Sequence, residues 1–405
     1  MTRPRLLFYC QHSLGLGHLA RSLRLAEALG ATFDVVLLNG GRFPPGTRIA
    51  SGIDVVNLAP LGHDENHKLI SHDPALSVDQ AKAHRRTAVL DALHRVAPDV
   101  VLIEMYPFGR RKFEFELLPL VEAAARPGGP LVVCSLRDIL VNQRREQAAY
   151  DERVCQRANR FLDVILVHSD PAFARLADSF QPTTPLAVPV HYTGFVAPPP
   201  IVEVEPLRRL LVSSGGGMVG EPLVRAAVGV HHALAERTGL TTTVVAGPFL
   251  PDPVWEWLCE QAAGSPALQA VRRVDDLSLE IHRSLLSLSQ GGYNTIMDIL
   301  RAGTPAVIVP FSEGAEDEQT RRVERLTALG LVRGIPAAEL RGERLLAELT
   351  AAASEWPPAT GLDLSGAETT ARLLTNLHNV RTAERHSSRI YGRNAGGTAG
   401  WERAG

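Results

Sequence analysis

Aromatic residues make up only 5% of this 405-residue chain, and its four cysteines, Cys10, Cys134, Cys155 and Cys259, lie far apart. Without close Cys pairs there is neither a zinc knuckle nor a disulfide frame, a pattern that fits reduced thiols and a cytoplasmic setting. No apolar run approaches the roughly eighteen residues that suit a membrane span. Met1 to Arg5 lead straight into a strand, without the charged and long apolar segments of a secretion signal. Neither sign of charge prevails, with 42 Lys and Arg against 44 Asp and Glu. No chain-wide field argues for nucleic acid, and none is expected as a partner.

What is present is length for two domains, each able to bury a core. Strand signals fall at Arg5–Cys10, Phe33–Leu38, Ile53–Leu58, Pro98–Ile103, Leu131–Cys134, Val164–Val167 and Ala187–Tyr192. Helical stretches lie between several of them, notably Ser77–Val96 and Phe113–Ala125. That alternation predicts an α/β fold with a doubly wound parallel sheet. Ala197–Pro200 followed by VEVEP reads as a stiff joint. After it, LRRLLVSSGGGMVGEPLVRAAVG starts a second strand, glycine loop and helix. The expected division is 1–196, a linker at 197–206, a second Rossmann-like domain at 207–362, and a terminal helix at 363–380. Residues 381–405 lack periodicity and are read as a disordered tail.

The most informative stretch is Ser289–Gly330, SQGGYNTIMDILRAGTPAVIVPFSEGAEDEQTRRVERLTALG. Gly291 and Gly292 open a short helix that Gly303 ends. A buried-strand run, Ala306–Val309, follows, and then a helix from about Asp317 to Leu329. The free N–H groups of the first helix, with its dipole, suit an anion. Asn294, Thr295 and Asp298 share one of its faces. A hydroxyl beside such N–H groups suits a phosphate, and a carboxylate one turn on suits a ribose diol. Glu318 and Gln319 begin the next helix, at the edge where parallel sheets bind ligands. The plainer reading is a helix start with solvated polar side chains. Gly215, Gly216 and Gly217 let backbone close on a phosphate, with Ser213 and Ser214 as hydroxyl donors.

GGYNTIMDILRAGTPAVIVPF…EQTRRVERLTALG resembles the donor-site signature of GT-B glycosyltransferases, in the family 28 group that includes the peptidoglycan lipid-intermediate N-acetylglucosaminyltransferase. The resemblance implies two Rossmann-like domains facing a cleft, with the terminal helix at 363–380 crossing back to the first. It implies Gly291, Gly292 and Thr295 on a diphosphate, Asp298 on the ribose, Glu318 and Gln319 on sugar hydroxyls, and Val274 beside the base. Two departures stand out: the ribose position is usually Glu, and the loop before Gln319 is a residue longer. Gly15, Gly17 and His18 resemble the GxGH loop of these enzymes, where the histidine is the general base on the acceptor hydroxyl. His18 also reads as a capping or core histidine, His12 is a weaker base, and Arg21 braces the loop.

Glu104, Arg110 and Asp138 leave the same sheet edge as His18 and line the expected acceptor side with Gly17. The run Pro107–Arg111 is placed either for an anionic acceptor such as a lipid phosphate or as a solvated loop. His63, Asp64, Glu65, His67, His72 and Asp73 have one metal-compatible four-residue step, but no HExxH pattern. They are read as a mobile acceptor-side loop. The expected activity is hexosyl transfer from a nucleotide-diphosphate sugar, UDP-linked, to a lipid, polysaccharide or small-molecule hydroxyl. Inversion, no cofactor or metal, and peripheral membrane contact belong to the same expectation. A nucleotide-sugar hydrolase and a non-catalytic nucleotide-sugar binder are the alternatives.

Overall fold

The computed structural model describes residues 3–12, 16–44, 46–64, 68–141, 144–202, 204–311 and 317–394. The first half contains strands β1 (Arg5–Cys10), β2 (Asp34–Asn39), β3 (Ile53–Asn57), β4 (Leu61–His63), β5 (Leu69–Ser71), β6 (Val100–Glu104), β7 (Leu131–Arg137), β8 (Val164–His168) and β9 (Val190–Tyr192). Helices α1 (Leu16–Leu29), α2 (Val78–Val96), α3 (Glu114–Ala124) and α4 (Gln147–Phe161) alternate with them. Seven of these strands form a sheet in the order β3-β2-β1-β6-β7-β8-β9. Every pairing within it is parallel. Both faces are covered, which is why β1, β6 and β8 read as unbroken apolar runs rather than alternating ones.

The second half repeats the plan with β10 (Leu207–Ser213), β11 (Thr241–Val245), β12 (Leu268–Val271), β13 (Ser284–Gln290), β14 (Ala306–Val309) and β15 (Arg333–Gly334). Its helices are α5 (Glu221–Thr238), α6 (Asp252–Ala263), α7 (Leu277–His282), α8 (Tyr293–Ala302), α9 (Glu318–Ala328) and α10 (Gly342–Ser354). The sheet order is β12-β11-β10-β13-β14-β15, again parallel. In each sheet the strand order reverses beside its first strand, between β1 and β6 and between β10 and β13. Ligands of open α/β sheets bind outside the strand ends at such a point.

A last helix, α11 (Gly366–Asn394), leaves the second half and packs on the first. Its Ala367, Ala371 and Leu374 join Leu25, Leu29 and Phe33 in one core. The expected disorder from residue 381 is corrected over 381–394, which are helical; residues 395–405 lie outside the described ones. The helical stretch past 380 is tied by arginines rather than by an apolar stripe. Arg381 pairs with Asp163 at 2.9 Å, and both Arg381 and Arg385 donate to the Gly129 carbonyl. The histidine-rich segment is also corrected. β4 and β5 pair as an antiparallel hairpin, and the His63 ring meets the Phe113 edge-on at 6.2 Å. Glu65 and His67 lie outside the described residues.

The halves share an apolar core of their own. Ile139, Phe173 and Phe195 of the first meet Tyr293, Val323 and Leu326 of the second. Among the described residues, no helix is long and apolar enough to cross a membrane.

Candidate active site

His18 and Glu104 meet at the reversal point of the first sheet. β1 leads through its loop into α1, placing Gly17 and His18 in the first turn of that helix, and β6 ends on Glu104. Gly15 falls outside the described residues. The His18 Nδ1 lies 2.5 Å from Glu104 Oε1, and the side chain is 24% exposed. Glu104 is wholly buried and also accepts from Arg21 Nη2 at 2.5 Å and from Arg110 Nε at 3.0 Å. Burial works against its charge, but Arg110, His18 and Arg21 outweigh that and hold it well below the usual carboxylate range. Burial also lowers His18 to about 3, against the pull of Glu104, so the ring is neutral. With Nδ1–H held by the carboxylate, Nε2 carries the free lone pair. Arg21, expected to brace the glycine loop, instead braces Glu104. His12 is a satisfied core histidine, bonded through Nε2 to Asn39 at 2.8 Å.

The two glycine turns are brought together because β10 and β13 are neighbours. They divide their tasks. Gly215, Gly216 and Gly292 line a cleft of about 690 Å³, whose opposite wall includes Gly17, Leu23 and Arg24 of the first domain. Val274, Asn294, Thr295 and Asp298 line it too. A Cβ on Gly292 would meet nothing within 4 Å, and Gly292 is the extended N-cap of α8. The first intrahelical bond runs from Ile296 N to the Gly292 carbonyl, so the N–H groups of 293–295 precede the ladder. Gly217 serves packing instead: at φ +91°, its Cβ would fall 2.5 Å from the Ala246 carbonyl oxygen. Gly291 likewise packs, against Val323 and Pro310. Ser213 accepts from Gly215 N within the turn, and Ser214 donates to the Ala246 carbonyl just past β11, so both hydroxyls already have protein partners.

Several expected contact residues instead join the domains. Asp138, 2% exposed, accepts from Arg322 Nε at 2.7 Å and Nη2 at 2.9 Å. Burial opposes its charge, but Arg322 prevails and lowers its pKa. The acceptor-side reading of Asp138 is therefore corrected: a buried, bidentate carboxylate has no edge to offer an acceptor. Arg110 is turned toward Glu104. Glu318 pairs with Arg137 across the interface, and Gln319 accepts from Phe311 N at 3.1 Å. Asp298 pairs with Arg24 at 3.0 Å. Burial raises its pKa to about 6, partly offset by Arg24. Asn294 donates to the Gly17 carbonyl at 3.4 Å.

Arg24 and Tyr293, which line the cleft, and Arg322, which joins the domains behind it, were not revealed by local spacing, since their hydrogen-bond partners lie 97 or more positions away. The buried Tyr293 ring has Arg21 at 5.5 Å and Arg322 at 5.4 Å from its centre. No group of three His, Cys, Asp or Glu residues suited to a metal occurs among the described residues.

Two parallel-sheet domains meeting at such a cleft form the GT-B glycosyltransferase architecture. The calicheamicin glycosyltransferase CalG4 superposes with a TM-score of 0.57 at 16% identity, covering 99% of this chain and 100% of that one. MurG of Acinetobacter baumannii gives 0.55 at 14% identity, covering 92% and 99%. Residues 215–359 match the glycosyltransferase family 28 C-terminal domain, so the second half is of family 28 type. A UDP-N-acetylglucosamine–N-acetylmuramyl-(pentapeptide) pyrophosphoryl-undecaprenol N-acetylglucosamine transferase of Tolumonas auensis is 30% identical over 146 residues. That alignment spans 36% of this chain and 39% of the relative's length.

Proposed function

We propose that the protein is a hexosyltransferase that moves sugar from a nucleotide diphosphate, UDP-linked, to a hydroxyl acceptor with inversion and without a metal. One observation carries this reading: a neutral imidazole, fixed by a buried carboxylate, sits on α1 between Gly17 and Leu19, which line one wall of a cleft whose other wall is two glycine turns and a bare helix start. Nε2 of His18 takes the acceptor proton as the acceptor oxygen bonds to the anomeric carbon. The bond from that carbon to the diphosphate oxygen breaks, and its electron pair leaves on the diphosphate. Backbone N–H groups at Gly215, Gly216 and the start of α8, with the helix dipole, stabilise the growing charge. Val274 lies beside the base, and Thr295 adds a hydroxyl to the phosphate. Glu318 and Gln319 serve the sugar once Arg137 and the Phe311 amide release them. The acceptor class is a lipid, a polysaccharide or a small molecule, with peripheral membrane contact in the first case.

The test is a thermal-shift screen against nucleotide sugars, followed by turnover with an acceptor panel after exhaustive chelation. A raised melting point and acceptor-dependent transfer are expected. Rapid release of free sugar without acceptor would make the protein a hydrolase. Turnover restored only by added Mg²⁺ would remove the metal-free part.

A further inference from the structure

Resting on the nucleotide-sugar reading of the cleft, we infer that the first domain latches the donor face of the second, so that a nucleotide sugar enters by displacing first-domain groups and parting the two walls. Three residues on that face are held from across the interface. Asp298 pairs with Arg24 at 3.0 Å, Asn294 donates to the Gly17 carbonyl at 3.4 Å, and Glu318 pairs with Arg137. Each guanidinium donates to a carboxylate where a donor hydroxyl would otherwise do so. Arg137 reaches α9 because β7 runs two residues past Ser135, its last pairing with β6. The cleft is consequently open at its nucleotide end and shut at its sugar end: Val274, Thr295 and Asp298 line it, whereas Glu318 and Gln319 do not.

A latch must hold and must also yield. Water reaches Arg137 and Glu318, 16% and 15% exposed, and it reaches Arg24, and ion pairs in contact with water contribute little. Arg322 with Asp138, at 1% and 0%, is a lasting bolt by contrast. The yielding contacts also leave polar atoms unmet. Arg24 Nη1, Arg137 Nε and Asn294 Oδ1 are buried with no hydrogen-bond partner among the described residues. Unmet buried groups weigh against the latched contact, and opening it to water or ligand relieves them. Donor admission therefore loosens the domains at this end while Arg322 keeps them joined.

Isothermal titration of UDP and UDP-N-acetylglucosamine into wild type, Arg24→Ala, Arg137→Ala and the double variant tests this, since none of these changes touches a donor-side residue of the second domain. Arg24→Ala should bind both ligands about threefold tighter, in keeping with the worth of a water-accessible ion pair. Arg137→Ala should gain about as much for UDP-N-acetylglucosamine alone, because UDP has no hexose to bring to Glu318. The double variant should gain about tenfold for the sugar nucleotide, the two gains multiplying as for independent pairs. Weaker or unchanged binding in these variants would make the arginines donor contacts or plain structural ties and overturn the latch. A second measurement needs no latch substitution. Ile49, beside the cleft-lining Arg48, and Val219, in the loop of Gly216, are exposed on the two rims, and Cys259 is the one described cysteine that is not buried. Electron–electron distances between nitroxides on Ile49→Cys and Val219→Cys, with Cys259→Ser, should lengthen when UDP-N-acetylglucosamine is added, and should start longer in the Arg24→Ala/Arg137→Ala background. A distance that shortens or stays fixed while the ligand binds overturns the latch and leaves the transferase reading standing. Binding of no nucleotide by any variant, ADP and GDP included, would sink both.

Discussion

The two strand-end edges that face each other across the cleft are built from different materials. The first edge is side chain: an imidazole, a carboxylate and two guanidiniums bonded to one another over 2.5–3.0 Å. The second is backbone: glycine turns and the N-terminus of α8. One fold plan therefore yields two kinds of site. Side chains move protons, and bare N–H groups hold anions, so the two edges will fail differently under substitution.

The largest contrast is expected at His18. His18→Ala should lower kcat by about 10²–10⁴-fold, the range for general-base loss, with donor affinity nearly intact by calorimetry. Collapse of donor affinity with residual turnover would reassign His18 to binding. Next comes the interdomain pair. Asp138→Ala leaves Arg322 buried without its carboxylate and should cost about 3–5 kcal/mol in urea unfolding, a loss typical of broken buried pairs. Breaking the exposed pair of Arg325 with Asp178 should cost ~0–1 kcal/mol.

On the backbone edge, glycines separate by task. Gly217→Ala should destabilise the fold by roughly 1–3 kcal/mol, because its positive φ and the Ala246 carbonyl leave no room. Gly292→Ala meets open space, so stability should stay within about 0.5 kcal/mol of wild type while diphosphate affinity falls. Equal losses of stability in both variants would erase the distinction.

The smallest effect sharpens the first edge. His18 and the fully buried His168, bonded to Ser135 and Thr193 at 2.8 Å, are each lowered to about 3, chiefly by burial. A histidine with a depressed folded pKa binds fewer protons folded than unfolded. Its contribution is complete above the unfolded value of about 6.5 and is lost as pH falls toward 3. Stability should decline across that window, and His18→Asn should make the decline shallower. A wild-type profile flat between pH 6.5 and 4 would contradict it.

Much of this was legible locally. The helix of Ser289–Gly330 and the strand Ala306–Val309 are set by apolar period and by glycine and proline stops, which act within a few residues. The convergence of the two glycine turns followed from doubly wound order. Asp138 was misread because a carboxylate at a strand end looks alike whether it faces solvent or a guanidinium 184 positions on. The hairpin of β4 and β5 escaped because each strand is three residues long, too short for a period. Helix α11 was cut short because arginine-to-carbonyl ties leave no periodic trace.

The tyrosine wedged between Arg21 and Arg322 has a mechanical consequence. Arg21 steadies the carboxylate behind the imidazole, and Arg322 bolts α9 to the opposite domain, so parting the halves must strip one cation from the aromatic face. Salt screens charges exposed to water far more than buried ones. Rising ionic strength will therefore loosen the rim of the joint first and leave this stacked hinge-pin until last.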